Sequence, residues 1–383
     1  MHSSIPPNFR TRYGKISSPE LSSLQRLSWN RAERAGAQRT TASGQRSLFG
    51  VRLSHVVDRD SRTTIIGCSA IASQFAQPNN LALKIARQPM LELYESGQVL
   101  GIDVGFSAKK RSTCFCLLSW DSRIAKFQFR RTTSDEQFQR RALTELLQRD
   151  NRLLAVAVDG PLAPGLATVT HYRSPEALLS CGPMQKRGKP GQTSSPVGQA
   201  LHRHATRLTN LALDVADVSP ATHAEPIHAK AVVEAFPNAF LAALLKESEF
   251  TTLKRNASDI FWRTISGDAG ALRSLCSRLL PECTFATSFE AIINHDEIAG
   301  AVCALTALSV KCGLYVAVGD PIAGDIILPP LCVWGTDALG APWLREVLDA
   351  ALVHSSRLAA MRTGFRDARI LFCEAGKPTQ RVV

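Results

Sequence analysis

The sequence predicts an α/β protein with a mixed central sheet flanked by helices and preceded by a disordered basic N-terminal tail. Three observations carry that expectation. An apolar run, Val99-Leu100-Gly101-Ile102, rises into Asp103 and breaks at Gly105, as a short buried strand ended by a turn does. A second run, Leu153 to Val158, ends alike in Asp159-Gly160-Pro161. Between them lie two more strand-like runs and an amphipathic helix. Strands alternating with helices form a sheet whose faces are covered.

Residues 1–80 are rich in Ser, Arg, Thr and Gln and show no sustained period. Such a composition buries too little apolar surface to order a chain. It is also the composition of an organelle-targeting peptide or of an inert extension, and the sequence does not choose between them. No apolar stretch follows the basic residues near Met1, as a secretory leader would need,.

The folded region is expected over 81–330. A helical pattern covers Leu81 to Glu95. Strands are predicted at Val99–Val104, Ser112–Trp120 and Ile124–Arg130, the last two joined by the tight connection Asp121-Ser122-Arg123,. Ser134 has the capping-box spacing for a helix whose inner face would be Phe138, Ala142, Leu143, Leu146 and Leu147,. After the strand at Leu153–Val158, residues 162–200 read as a polar insertion with a basic loop around Lys186-Arg187-Gly188-Lys189. That loop is not a P-loop: five residues separate Gly182 from Gly188, and Pro190 stands where a magnesium-binding hydroxyl would be,. A helix then runs from Gly198 through Val215, and a strand from Ala231 to Phe236 holds Glu234. Pro237 opens the next helix, and 250–293 reads as further helical structure facing the substrate. Asn294 starts the long apolar helix to Val310, strands follow near 315–318 and 326–328, and residues 331–383 form an extension with one helix, Trp343–Leu352, and a weakly ordered end,.

Composition narrows the function classes. The longest apolar stretch, Ile298 to Val310, is too short to span a bilayer,, so no membrane partner is expected. Ten cysteines show no CxxC pair, and Cys114 and Cys116 fall on one face of a strand. That pattern predicts reduced thiols in a cytoplasmic protein rather than zinc or disulfides. The net charge is +12, but seven of those charges fall in residues 1–80. Nucleic acid is therefore a permitted partner that charge alone does not establish.

Four acids stand at element ends or inside strands: Asp103, Asp159, Glu234 and Asp296. Carboxylates so placed are costly to bury unless they hold a metal or a hydrogen-bond network. A set of oxygen donors without a competing His/Cys cluster suits Mg2+ or Mn2+, and two such ions can activate water and stabilise a leaving oxygen in phosphodiester hydrolysis. Each acid also has a plainer reading. Asp103 and Asp159 can begin turns, Glu234 can pair with an arginine, and Asp296 can favour a helix N-terminus. His202 and His204, two apart on a helix, and His223 and His228 in a loop are read as non-catalytic,.

The chain resembles the predicted ribonuclease-H-like nucleases grouped as domain of unknown function 429. The resemblance rests on Gly101-Ile102-Asp103, Val158-Asp159-Gly160-Pro161-Leu162, Arg173 with Glu176, and Val233-Glu234-Ala235-Phe236-Pro237. It continues through Leu253-Lys254, His295-Asp296-Glu297-Ile298-Ala299-Gly300-Ala301 and Gly324-Asp325-Ile326-Ile327-Leu328-Pro329. It implies a ribonuclease-H-like fold over roughly 97–330 and a metal-dependent nuclease. Asp103 would bridge the metals, Asp159 and Glu234 would ligate them, Asp296 would hold one weakly and Lys254 would contact a phosphate. One position departs: the family aspartate before the Ala-rich helix segment is Gly300 here, and Asp296 stands one turn earlier, about 6 Å along the axis,. Two rival readings remain. An actin-like ATP-dependent phosphotransferase shares the Asp-x-Gly opening but needs a second, duplicated domain. A non-enzymatic binding module with a decayed metal site is motivated by Gly300.

Overall fold

The apolar runs become ten strands of one mixed sheet. In this computed structural model the described residues are 96–147, 153–188, 190–217, 232–253, 258–267, 269–359, 368–374 and 377–382. The expected tail, the helix over 81–95, Lys254, His223 and His228 lie outside them.

β1 (Gly97–Asp103), β2 (Thr113–Trp120) and β3 (Ile124–Thr132) form an antiparallel meander. β4 (Leu153–Asp159) runs parallel to β1 on its other side, followed by β5 (Val232–Ala235), also parallel. β7 (Tyr315–Asp320) and β8 (Gly324–Leu328) make a hairpin that attaches to β5 through β8, while the two-residue β6 (Thr284–Phe285) caps the far edge beside β3. β9 (Arg369–Glu374) and β10 (Lys377–Val382) complete the order β10-β9-β7-β8-β5-β4-β1-β2-β3-β6. The segment after 331 thus adds two strands as well as a helix, which corrects the expected weakly ordered end. Its apolar run Ile370-Leu371-Phe372-Cys373 pairs with β7 and is largely buried.

In chain order the helices are α1 (Glu136–Leu146), α2 (Ser174–Leu178), α3 (Met184–Arg187), α4 (Pro196–Val215), α5 (Pro237–Leu244), α6 (Glu247–Thr252), α7 (Ser258–Ile265), α8 (Ala271–Leu279), α9 (His295–Lys311) and α10 (Trp343–Ala359). α1 and α4 cover one face of the sheet, where Leu143, Leu208 and Leu211 meet Leu100, Ile102 and Val158. α9 covers the other face, across β1, β2 and β4, and every residue from Ile298 to Val310 is buried. Two glycines make that approach possible. A methyl on Gly101 would lie 2.2 Å from the Ala304 nitrogen and 2.3 Å from the Gly300 oxygen, so only a hydrogen there lets helix backbone rest on strand backbone. Gly300 sits over β2, its missing Cβ 3.2 Å from both the Cys114 sulfur and the Cys116 Cβ. Cys114 and Cys116 do share a face, buried beneath this helix, and the described cysteines form no disulfide.

Local chemistry sets the remaining differences. Asp135, not Ser134, caps α1, accepting from the Gln137 and Phe138 amides at 2.9 and 3.2 Å. Phe138 is exposed, and Gln139 turns inward, donating to the Thr133 carbonyl and accepting from Arg207. The expected basic loop within 162–200 instead contains α2 and α3, because Leu178, Leu179 and Met184 bury themselves in the core. The helices of 250–293 likewise send Phe250, Phe261 and Trp262 inward. No helix among the described residues is long and apolar enough to cross a membrane.

Candidate functional site

β1 and β4 both finish in an aspartate, and their parallel register pairs Asp103 with Asp159. Side chains at paired positions stand on the same face. The row continues across the meander: Asp103 opposes Cys114 on β2, and Cys114 opposes Arg131 on β3. Over it lies the N-terminal part of α9. Asn294 caps that helix, accepting from the Asp296 and Glu297 amides at 3.1 and 3.3 Å. Asp296, one turn before Gly300, receives Arg131 Nη2 at 2.5 Å on Oδ2. The same nitrogen donates to the Arg111 carbonyl, and the buried Arg131 Nε has no hydrogen-bond partner among the described residues.

Burial pushes the Asp103 carboxyl well above the usual range, the Asp159 and Asp296 charges add to this, and Arg131 opposes it. Burial, then the charge of Glu234, pushes Asp159 up to about 7. Among the described residues no donor bonds either the Asp103 or the Asp159 carboxylate. Two half-buried acids, in register and without donors, attract a cation or a proton. The proton alternative is measurable. Asp159 titrates near 7 when folded but near 4 when unfolded. Its stabilising contribution is full below about pH 4 and is lost as pH rises through about 7. In chelator, the wild-type melting temperature is therefore expected to fall across that window relative to Asp159→Asn. Parallel melting curves for the two proteins would show that Asp159 is not perturbed.

Glu234 is not part of this row. It pairs with Val158, one residue out of step with Asp159, and so faces the opposite side of the sheet. There Arg173, 2% exposed at its side chain, donates Nη1 and Nη2 to the two Glu234 oxygens at 2.9 and 2.6 Å. Arg173 Nε reaches Glu176 at 2.8 Å, and the Thr193 amide and hydroxyl also donate to Glu176. Arg173 Nη1 further bonds the Ala323 carbonyl at 3.0 Å, tying this network to the β7–β8 turn. The arginine-paired reading of Glu234 is the one the geometry shows. The structure thus brings Asp103 and Asp159 together, sets Asp296 nearby on an arginine, and engages Glu234 elsewhere. Among the described residues no group of three or more His, Cys, Asp or Glu side chains is spaced to hold a metal ion.

A pocket of about 120 Å³ opens beside the strand ends, lined by Asp159, Pro161, Arg173, Glu234 and Phe236 among others. A larger cavity of about 590 Å³ lies against Lys246, Ser274, Cys332 and Thr336 and includes none of the four acids. Of the four acids the smaller one takes in Asp159 and Glu234, while Asp103 and Asp296 are not in its lining. Sequence reasoning missed Arg131. The signal was present, since a hairpin closing at Asp121–Ile124 fixes the register that sets Arg131 opposite Cys114. It also passed over Phe106, Lys109, Lys110 and Arg111, which follow Asp103 directly. His202 bonds the Pro161 carbonyl through Nδ1 at 2.8 Å, and His204 stacks on Phe106. Comparisons with protein-family models, curated proteins and solved structures find no match to this chain.

Proposed function

We propose that the chain is a ribonuclease-H-like nuclease that hydrolyses phosphodiester bonds with Mg2+ or Mn2+, as its resemblance to domain of unknown function 429 implies. The observation that carries this reading is Asp103 beside Asp159, in register at the C-terminal ends of neighbouring parallel strands. Open parallel sheets place their ligands at that edge. The meander β1–β2–β3 with parallel β4 and β5 beside it is consistent with the same fold. Hard oxygen donors fit a hard divalent cation, and these two carboxylates lack any described donor of their own. Asp103 and Asp159 would hold the ion, and Asp296 would join them after leaving Arg131. Once bound, a divalent cation supplies Lewis-acid activation of water and neutralises charge on the phosphate. Glu234 supports the site indirectly, by fixing Arg173 beneath the pocket.

The rivals are less well supported. The actin-like reading asks for two duplicated domains, whereas the described residues form one sheet. Pro161 also follows Gly160 where a phosphate loop needs an amide donor,. The decayed-site reading drew on Gly300, and that residue answers to the packing of α9 on Cys114 and Cys116. A side chain there would need Cys114 or Cys116 to give by a few tenths of an ångström, so packing is a sufficient reason for the glycine.

The test is cleavage of fluorescent DNA and RNA strands by the purified chain with Mn2+. Cleavage that chelator stops and Asp103→Asn loses is the expected result. Manganese binding without cleavage of any strand would favour the binding module. Arg131 gives a second measurement. It competes with a cation for Asp296, so Arg131→Gln is expected to raise Mn2+ affinity about tenfold in calorimetric titration. Asp296→Asn should then cost more affinity in the Arg131→Gln background than in the wild type. Weaker binding by Arg131→Gln would mean that the arginine organises the site instead.

A further inference from the structure

Three residues past Asp103 the chain exposes an aromatic ring. Phe106 is 46% accessible and rests on His204 of α4, with ring centroids 5.7 Å apart and planes inclined by 27°. Chain geometry keeps it within about 10 Å of Asp103. The same loop continues into Lys109, Lys110 and Arg111, all exposed, while Arg203 stands exposed beside His204. No acid pairs with these four basic side chains among the described residues. The nearby Glu136 is engaged by Arg207. The loop is held in place rather than left loose: Ser107 accepts from the Lys110 amide at 2.9 Å through its hydroxyl and from the Ser134 amide at 2.9 Å through its carbonyl.

A lone exposed phenylalanine is ordinary. One backed by a second ring, flanked by unpaired cations and set three residues past Asp103 meets the two demands of single-stranded nucleic acid. Bases stack on rings, and phosphates follow positive charge. A duplex has no open base face to offer such a ring. His204 suits its backing role because burial and the neighbouring Arg207 and Arg203 charges lower its pKa, which keeps the imidazole neutral. Its buried Nδ1 has no hydrogen-bond partner among the described residues.

We propose that Phe106 on His204, rimmed by Lys109, Lys110 and Arg111, is a platform that stacks a base of single-stranded nucleic acid and leads the strand to Asp103 and Asp159. This rests on the nuclease reading but is measured apart from it. Binding is followed in chelator, where no cleavage occurs, by fluorescence anisotropy with a short labelled strand and with its duplex. The wild type is expected to prefer the single strand. Phe106→Ala should weaken that binding by tenfold or more, as loss of one stacked base does, and leave the weaker duplex binding unchanged. Lys109→Glu with Lys110→Glu should weaken binding and reduce its salt slope by about 1.4. Both variants alter exposed side chains, and an unchanged melting temperature certifies their fold. Equal affinity of Phe106→Ala and wild type would overturn the platform and leave the nuclease reading standing. Equal or tighter binding of the duplex, or no binding of either, would also overturn it, while manganese-dependent cleavage judges the nuclease reading separately.

Discussion

Asp103→Asn is expected to lower metal-dependent cleavage by about a thousandfold while making the metal-free chain more stable. The two effects have one cause. Asp103 and Asp159 stand in register with no described donor on either carboxylate; burial raises the cost of both charges, the Asp159 charge adds to that of Asp103, and the Glu234 charge adds to that of Asp159. Asparagine keeps the shape and removes the charge. A bound cation contributes several kcal/mol to the barrier, and about 4 kcal/mol corresponds to a factor of a thousand. Relieving the repulsion should raise stability by about 1 kcal/mol, the usual sign of a functional group held at the expense of the fold. Cleavage assays and thermal melts in chelator, run on one preparation, read both. A variant that is inactive and also less stable would show that Asp103 serves the fold rather than a reaction. Asp159→Asn should behave alike.

The strand ends were legible because two local rules agree there. An apolar run of strand length and a glycine break announce both Asp103 and Asp159, and that reading needs no tertiary information. The facing of Glu234 was not legible. On β5 it is one residue out of step with Asp159, and a shift of one residue turns a strand side chain to the other face. Its partner Arg173 is 61 residues away, a separation no periodicity reports, although Arg173 was already among the residues carrying the family resemblance. The α1 cap shows a smaller failure of the same kind. Both Ser134 and Asp135 are good caps, and Gln139 rather than Phe138 faces inward because its side chain bonds the Thr133 carbonyl and Arg207. Gly300 has a second role that the sequence does not show. Set against a family pattern it reads as a missing acid, and in space it is also where α9 closes on Cys114 and Cys116 of β2. Strands β9 and β10 were missed because an edge added late in the chain takes its register from β7, not from its own pattern.

Arg173→Met is expected to destabilise the protein by about 3–5 kcal/mol, a fall in melting temperature of about 10 °C. Arg173 is the one cation bonded to Glu176 and Glu234 among the described residues, and all three side chains are almost wholly buried. Removing it leaves two buried carboxylates without a counter-ion, which costs far more than the net worth of the pairs. Restoring neutrality should therefore recover much of the loss. Glu176→Gln and Glu234→Gln, added to Arg173→Met, are expected to raise the melting temperature above that of the single variant, although they remove still more of the native contacts. The same network separates the two roles open to Glu234. As a partner of Arg173, Glu234→Gln should cost about 1–2 kcal/mol of stability and leave Mn2+ affinity unchanged, whereas Asp159→Asn should lose Mn2+ binding and gain stability. The reverse pattern, with Glu234→Gln fully stable but unable to bind manganese, would return Glu234 to the metal and require Arg173 to release it.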